Sequence, residues 1–291
     1  MNVSSEVMSL DPATEKLTIR LQGGLGNQLF QLAFAIWISQ TDKRQISLDA
    51  SRLGPKLLRR RRRPFELTAM YLPFELTART GRLSVRQLTA RRPDFVDEYT
   101  SLAALQGRTS KSNFVEGYFQ DYRIVDAVHE RMLELISLHL PHRPRIQGTV
   151  GVHVRLGDYI RNRKARAFHG PTDPRWSISE GLRIAHDIDA KRLLIFTDSP
   201  NLIPRQKPLP NMVTEFATAT RAWDVVRELS ACDAIVLSNS SLSWWAGFLH
   251  DQTNRQASKL LVPTPWLREP SSVEARLLPP TWERRLRSQL S

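Results

Sequence analysis

The chain has 291 residues, of which 41% are hydrophobic and 24% charged. That length and apolar content suit one large α/β domain or two smaller ones, and they exclude a disordered or fibrous chain. The formal net charge of +13 leaves three classes of partner: nucleic acid, an anionic membrane surface, or a multiply anionic small molecule.

In chain order, the first residues carry no apolar signal core. The greasy stretch Leu29 to Ile38 is interrupted by Gln31 and is too short to cross a bilayer. A cytoplasmic location is the expectation, with peripheral contact at the inner membrane face left open. Residues 17–21 read as a strand, Gln22 to Gly26 as a glycine-rich turn, and Asn27 onward as a helix with apolar residues at helical spacing. A second strand at 45–49 completes a β-α-β unit. Arg59 to Arg63 form a five-arginine run. It reads as a solvated loop or helix end, or as a patch touching membrane or acidic glycolipid. No zinc-finger spacing, aromatic RNA-binding motif or basic heptad accompanies it, so nucleic acid is not the expected partner. Helix-like pieces lie around 84–91 and 122–138, and 113–119 reads as a strand. The Pro- and charge-rich stretch 141–148 reads as a linker, which divides the chain into domains 1–145 and 146–291.

The second half repeats the rhythm. Strands are expected at 149–156, 192–198, 233–238 and 259–263. Helices are expected at Ser177 to Ile188, capped by Ser177 or Ser179, at 222–232, and after Asn239. Strands separated by helices imply parallel sheets, whose ligands sit beyond the carboxyl ends of the strands. The single cysteine, Cys232, precedes an apolar run, reads as a buried thiol and excludes an intrachain disulfide framework.

Four polar constellations fall where such a sheet binds ligands. Gly23 to Asn27 (GGLGN) joins a strand to a helix, either as a tight structural turn or as a close approach to an anion. In His153 to Asp158 (HVRLGD), Arg155 offers a fork to a diphosphate and positive charge to a leaving nucleoside diphosphate. A structural Arg–Asp ion pair and a core histidine are the alternatives. Asp198, in FTDSP, suits the N1–H and amino group of a guanine, or else caps its strand. Ser238, Asn239, Ser240 and Ser241 precede a helix whose free N–H groups suit a phosphate, or simply cap it. Of Trp244 and Trp245, one is expected in the core and the other near the site. No HExxH motif is present, and Asp187 and Asp189 flank Ile188 at an apparent helix end, not in a nucleotide-type loop, so no metal is expected.

Taken together, LQGGLGNQLFQLAFA (21–35), GYFQD (117–121), GVHVRLGDY (151–159), FHG (168–170), FTDSP (196–200) and SNSSLSWWAGFL (238–249) resemble the inverting α-1,2-fucosyltransferase family. The resemblance implies an α/β fold of two facing Rossmann-like domains with a cleft between them, of the GT-B type. The first domain would take the acceptor side and the second the donor side. It implies a metal-independent transfer of fucose, with no cofactor, from GDP-fucose to the 2-hydroxyl of a galactose-containing glycan or lipid-linked oligosaccharide. Gly24, Gly26, Asn27 and Gln28 would face the cleft. Arg155 would contact the diphosphate, with Asp198, Asn239, Ser240 and Ser241 around the nucleotide. His153 and Asp158 are the candidate bases for the acceptor hydroxyl, with Glu116 as a further carboxylate.

The chain departs from that pattern at Leu156, where a second arginine is common, at Ser199, where a second aspartate is common, and in the basic segment 161–167. These departures bear on the acceptor more than on the donor. A different nucleotide-sugar transferase on the same scaffold is the runner-up, and a non-catalytic basic binding module comes third.

Overall fold

The computed structural model describes residues 16–54, 63–68, 70–78, 93–96, 101–140, 144–204, 210–253, 259–268 and 272–290. The helix expected around 84–91 and Arg59 to Arg62 lie outside the described residues. The described strands form two sheets, and every pairing between them is parallel.

The first sheet contains β1 (Leu17–Arg20), β2 (Ile46–Asp49), β3 (Glu75–Ala78), β4 (Asp94–Phe95) and β5 (Phe114–Glu116), in the spatial order β3-β2-β1-β5-β4. Its central strand β1 alternates, with Leu17 and Ile19 fully buried. Helix α1 (Leu25–Thr41) is buried along most of its length, from Leu25 to Ile38. A helix apolar on all sides belongs inside a structure, not on its surface. Its Phe34 ring stacks on Phe119 at 3.8 Å. The helix starts at Leu25, within the glycine run, earlier than its apolar periodicity suggests. Three further helices follow among the described residues: α2 (Leu102–Thr109), α3 (Tyr122–Ala127) and α4 (His129–His139). Asp121 caps α3 by accepting from the Arg123 N–H at 3.0 Å.

The second sheet contains β6 (Ile146–Val154), β7 (Arg192–Thr197), β8 (Val213–Phe216), β9 (Cys232–Val236), β10 (Lys259–Thr264) and β11 (Glu283–Leu286), in the order β11-β10-β9-β6-β7-β8. The central strands β6 and β9 are apolar runs buried on both faces, as a covered parallel sheet requires. Strand β6 begins at Ile146, inside the stretch expected to be a linker. Short helices α5 (Gly157–Arg161) and α6 (Arg163–His169) occupy the basic segment. Asn162 caps α6, and Gly170, at φ 55°, ends it in the left-handed region that suits glycine. Helix α7 (Pro174–Asp187) takes Asp173 as its cap and Pro174 as its first residue. That corrects the expected Ser177 or Ser179 cap. Ser177 is fully buried, and the Ser179 hydroxyl bonds back to the Trp176 carbonyl. Helices α8 (Ala222–Ser230), α9 (Ser241–Thr253) and α10 (Ser272–Leu277) complete the described elements.

One hydrophobic cluster runs through both sheets, because α1 packs against α9. The Phe30 ring meets Trp244 at 4.7 Å and Trp245 at 5.2 Å. Both tryptophans are buried, at 1% and 0% exposure, and each indole N–H is bonded, to the Leu277 carbonyl and the Gly26 carbonyl respectively. The expected split, with one tryptophan near the site, is therefore corrected: both serve packing. A Cβ on Gly26 would strike the Ser241 backbone. A glycine there lets the start of α1 meet the start of α9.

Candidate active-site cleft

A cavity of about 510 Å³ opens where the two helix starts meet. That volume lies in the range of small-molecule sites. The first half of the chain contributes Gly23 to Asn27, Arg63, Pro64, Glu66, Tyr118 and Gln120. The second contributes Arg155, Asp158, Tyr159, Phe168, His169, Asn239 to Leu242, Trp266, Leu267 and Arg276, among others. The first N–H groups of a helix lack partners within it, and its dipole favours negative charge at that end. Ser240 precedes α9 and its carbonyl takes the first helical bond, from the Trp244 N–H at 2.9 Å. The starts of α1 and α9 thus both turn toward the cleft.

Arg155 follows the last residue of β6, and its side chain is 23% exposed. Its guanidinium bonds Asp158 Oδ1 at 2.7 Å and Asp198 Oδ2 at 2.7 Å. Arg63 reaches the other Asp158 oxygen, Oδ2, from the first half of the chain. Burial tends to raise the Asp158 pKa, but Arg155 and Arg63 outweigh it and hold this carboxyl below its ordinary range. Two guanidiniums therefore share one carboxylate at the cleft wall.

Behind this wall is a frame of backbone bonds. Asn239 donates to the carbonyls of His169 at 2.9 Å and Trp266 at 3.0 Å, and the Tyr159 hydroxyl donates to the Asn239 carbonyl at 3.1 Å. Arg287, only 5% exposed, donates to the carbonyls of Pro265, Leu267, His169 and Gly170. Burial lowers its pKa to about 10. The His169 ring stacks on Tyr159 at 4.2 Å, and burial pulls its pKa down to about 4. Among the described residues, no group of His, Cys, Asp and Glu is placed to hold a metal ion.

The sequence profile described as glycosyl transferase family 11 matches residues 5–269 of this chain. The chain belongs to glycosyl transferase family 11. An Escherichia coli protein, "O-antigen biosynthesis glycosyltransferase WbnK", is 27% identical over 79% of this chain and 89% of its own. The "Galactoside 2-alpha-L-fucosyltransferase" of Caenorhabditis elegans is 21% identical over 92% of this chain and 78% of its own. An Escherichia coli "Alpha-1,2-colitosyltransferase" is 22% identical over 91% and 97%.

In this family 11 chain the cleft gathers Gly24, Gly26, Asn27, Arg155, Asp158, Asn239, Ser240 and Ser241 from the residues singled out in the sequence. Four candidates do not line the cleft. His153 is 4% exposed, does not line the cleft, and bonds the Ser238 hydroxyl at 2.8 Å through Nδ1. Burial, helped by the Arg155 charge, lowers its pKa to about 4, so it is a neutral group in the core, away from the cleft where an acceptor would lie. Gln28 is fully buried, and its amide bonds Gly23, Pro64 and Glu66 backbone groups, so it shapes the wall without facing a ligand. Asp198 accepts from the N–H groups of Leu156 and Gly157 through Oδ1, braces Arg155 through Oδ2 and does not line the cleft. Glu116 is ion-paired with Arg20 and Arg52 and does not line the cleft. Sequence reasoning overlooked Glu66, Tyr159 and His169 as site residues. The last two stood in the stretches GVHVRLGDY and FHG, which marked them. Glu66 had no such signal.

Proposed function

We propose that the chain transfers fucose from GDP-fucose to the 2-hydroxyl of a galactose-type acceptor, with inversion, in a GT-B cleft between domains 1–145 and 146–291. The observation that carries the reading is Arg155: a guanidinium braced by Asp198, opening into a cleft edged by two helix starts. There it would hold the diphosphate and stabilise the charge that grows on it as the anomeric bond breaks. Arginine, backbone N–H groups and helix dipoles together supply what a divalent ion does elsewhere, so turnover is expected to persist in EDTA. The names of the fucose and colitose relatives favour a 6-deoxy sugar, and the motif resemblance favours guanosine diphosphate as its carrier. The colitose relative supports a second reading, in which a related deoxy sugar replaces fucose on the same scaffold.

The test is transfer from GDP-fucose to defined galactosides, with the product linkage read by NMR. Arg155→Ala is expected to lower kcat by about 10²- to 10³-fold and to weaken GDP binding. Wild-type protein that prefers a uridine nucleotide, or an R155A variant with full turnover, would overturn the reading.

A further inference from the structure

We propose that Glu66 is the general base that takes the proton from the acceptor hydroxyl. The proposal rests on the reading of this cleft as a transferase site, but not on which sugar is moved. Glu66 lines the cavity from the first half of the chain, while Arg155 enters it from the second. A direct displacement needs its proton acceptor and its leaving group on different sides of the reacting carbon, and these walls supply one each.

Glu66 is held as a positioned group is held. Its N–H donates to Gln28 Oε1 at 2.9 Å, and its carbonyl accepts from the Trp223 indole N–H at 2.9 Å. Gln28 also holds the Pro64 carbonyl at 2.9 Å, and the Gly54 N–H holds the Arg63 carbonyl at 3.0 Å. The buried Gln28 of α1 and the partly buried Trp223 of α8 thus fix the backbone around the residue. The carboxylate itself makes no hydrogen bond or ion pair among the described residues. A tightly anchored backbone carrying an unengaged acid in a cleft is what proton transfer requires.

The other titratable groups at the cleft are worse suited. Both oxygens of Asp158 are taken by guanidiniums, which keep it a weak proton acceptor. The His169 imidazole lies flat on Tyr159, with its pKa pushed down to about 4. Partial burial raises the Glu66 pKa against the opposing charge of Arg63, whereas Asp158 is held below its ordinary range. Arg155 and Arg276 are the remaining charged groups that line the cavity.

In the step itself the acceptor O–H bond breaks and its proton passes to a Glu66 carboxylate oxygen. The freed electron pair forms the new bond to the anomeric carbon. The bond from that carbon to the β-phosphate oxygen breaks, its electron pair stays on the phosphate beside Arg155, and Glu66 later releases the proton to water.

The experiment compares wild type, Glu66→Gln and Glu66→Ala with a panel of GDP- and UDP-sugars and galactoside acceptors. With whichever donor the wild type turns over, E66Q is expected to lose at least about 100-fold in kcat, with GDP affinity within about threefold. Intact GDP binding shows that the variants fold. Azide attacks without a proton to remove, so E66A is expected to form glycosyl azide at close to the wild-type rate. Transfer by E66Q within about fivefold of wild type, or an azide reaction as impaired as the hydroxyl reaction, would overturn the assignment. A wild-type preference for a uridine sugar would overturn the fucose reading instead, and the E66Q ratio would still decide the base.

Discussion

His153 shows what burial does to a titratable group in this chain. Its pKa falls from an ordinary 6.5 to about 4, with desolvation the larger cause. Between those values the unfolded chain binds a proton that the folded chain refuses. Stability is therefore fully present above about pH 6.5 and falls as the pH drops toward 4, by about 1.4 kcal/mol per unit in the steepest part. His169 acts in the same direction. Replacing His153 by Gln is expected to lessen the loss of stability between pH 7.5 and pH 5. Urea midpoints of wild type and variant at both values check this, and equal losses would contradict it. The pattern HVRLGD made His153 legible as a polar residue at a strand end. It could not show that Ser238 would occupy its Nδ1.

At the scale of elements, the meeting of α1 and α9 decides where the cleft forms. Gly24 and Gly26 look alike in the sequence but differ in the fold. An added Cβ meets nothing within 4 Å at Gly24, and the Ser241 backbone at Gly26. Gly26→Ala is expected to destabilise by about 1–3 kcal/mol through overpacking, and Gly24→Ala by under about 0.5 kcal/mol. Denaturant titration of the two variants checks the difference. The buried strands β1, β2, β6, β7, β9 and β10 were legible because each is a continuous or alternating apolar run. The short strands β3, β4, β8 and β11 were not. Much of their described surface is exposed and carries no period, so sheet pairing alone defines them.

At the scale of the molecule, one apolar cluster passes from the first sheet through α1 and α9 into the second. Unfolding either half would strip Phe30, Trp244 and Trp245 of their packing. A single cooperative transition is therefore expected, with calorimetric and van't Hoff enthalpies in agreement. GDP at about 100 times its Kd is expected to shift that transition as a unit, by about 2.7 kcal/mol. Two resolved transitions, with only one moved by GDP, would show that the halves fold independently.

The sequence by itself determined the α/β class, the main buried strands, the chain order of the motifs and the presence of an arginine near a strand end. These follow from apolar periodicity and residue type, which are local properties. Only the tertiary structure decided which polar groups are consumed by neighbours and which stay open. Asp198, Gln28 and His153 are taken up in bracing, whereas Glu66, from a stretch without periodicity, is left facing the cleft. A side chain's remaining bonding capacity depends on groups far away in sequence, such as Trp223 and Gln28 around Glu66, and residue spacing does not encode it.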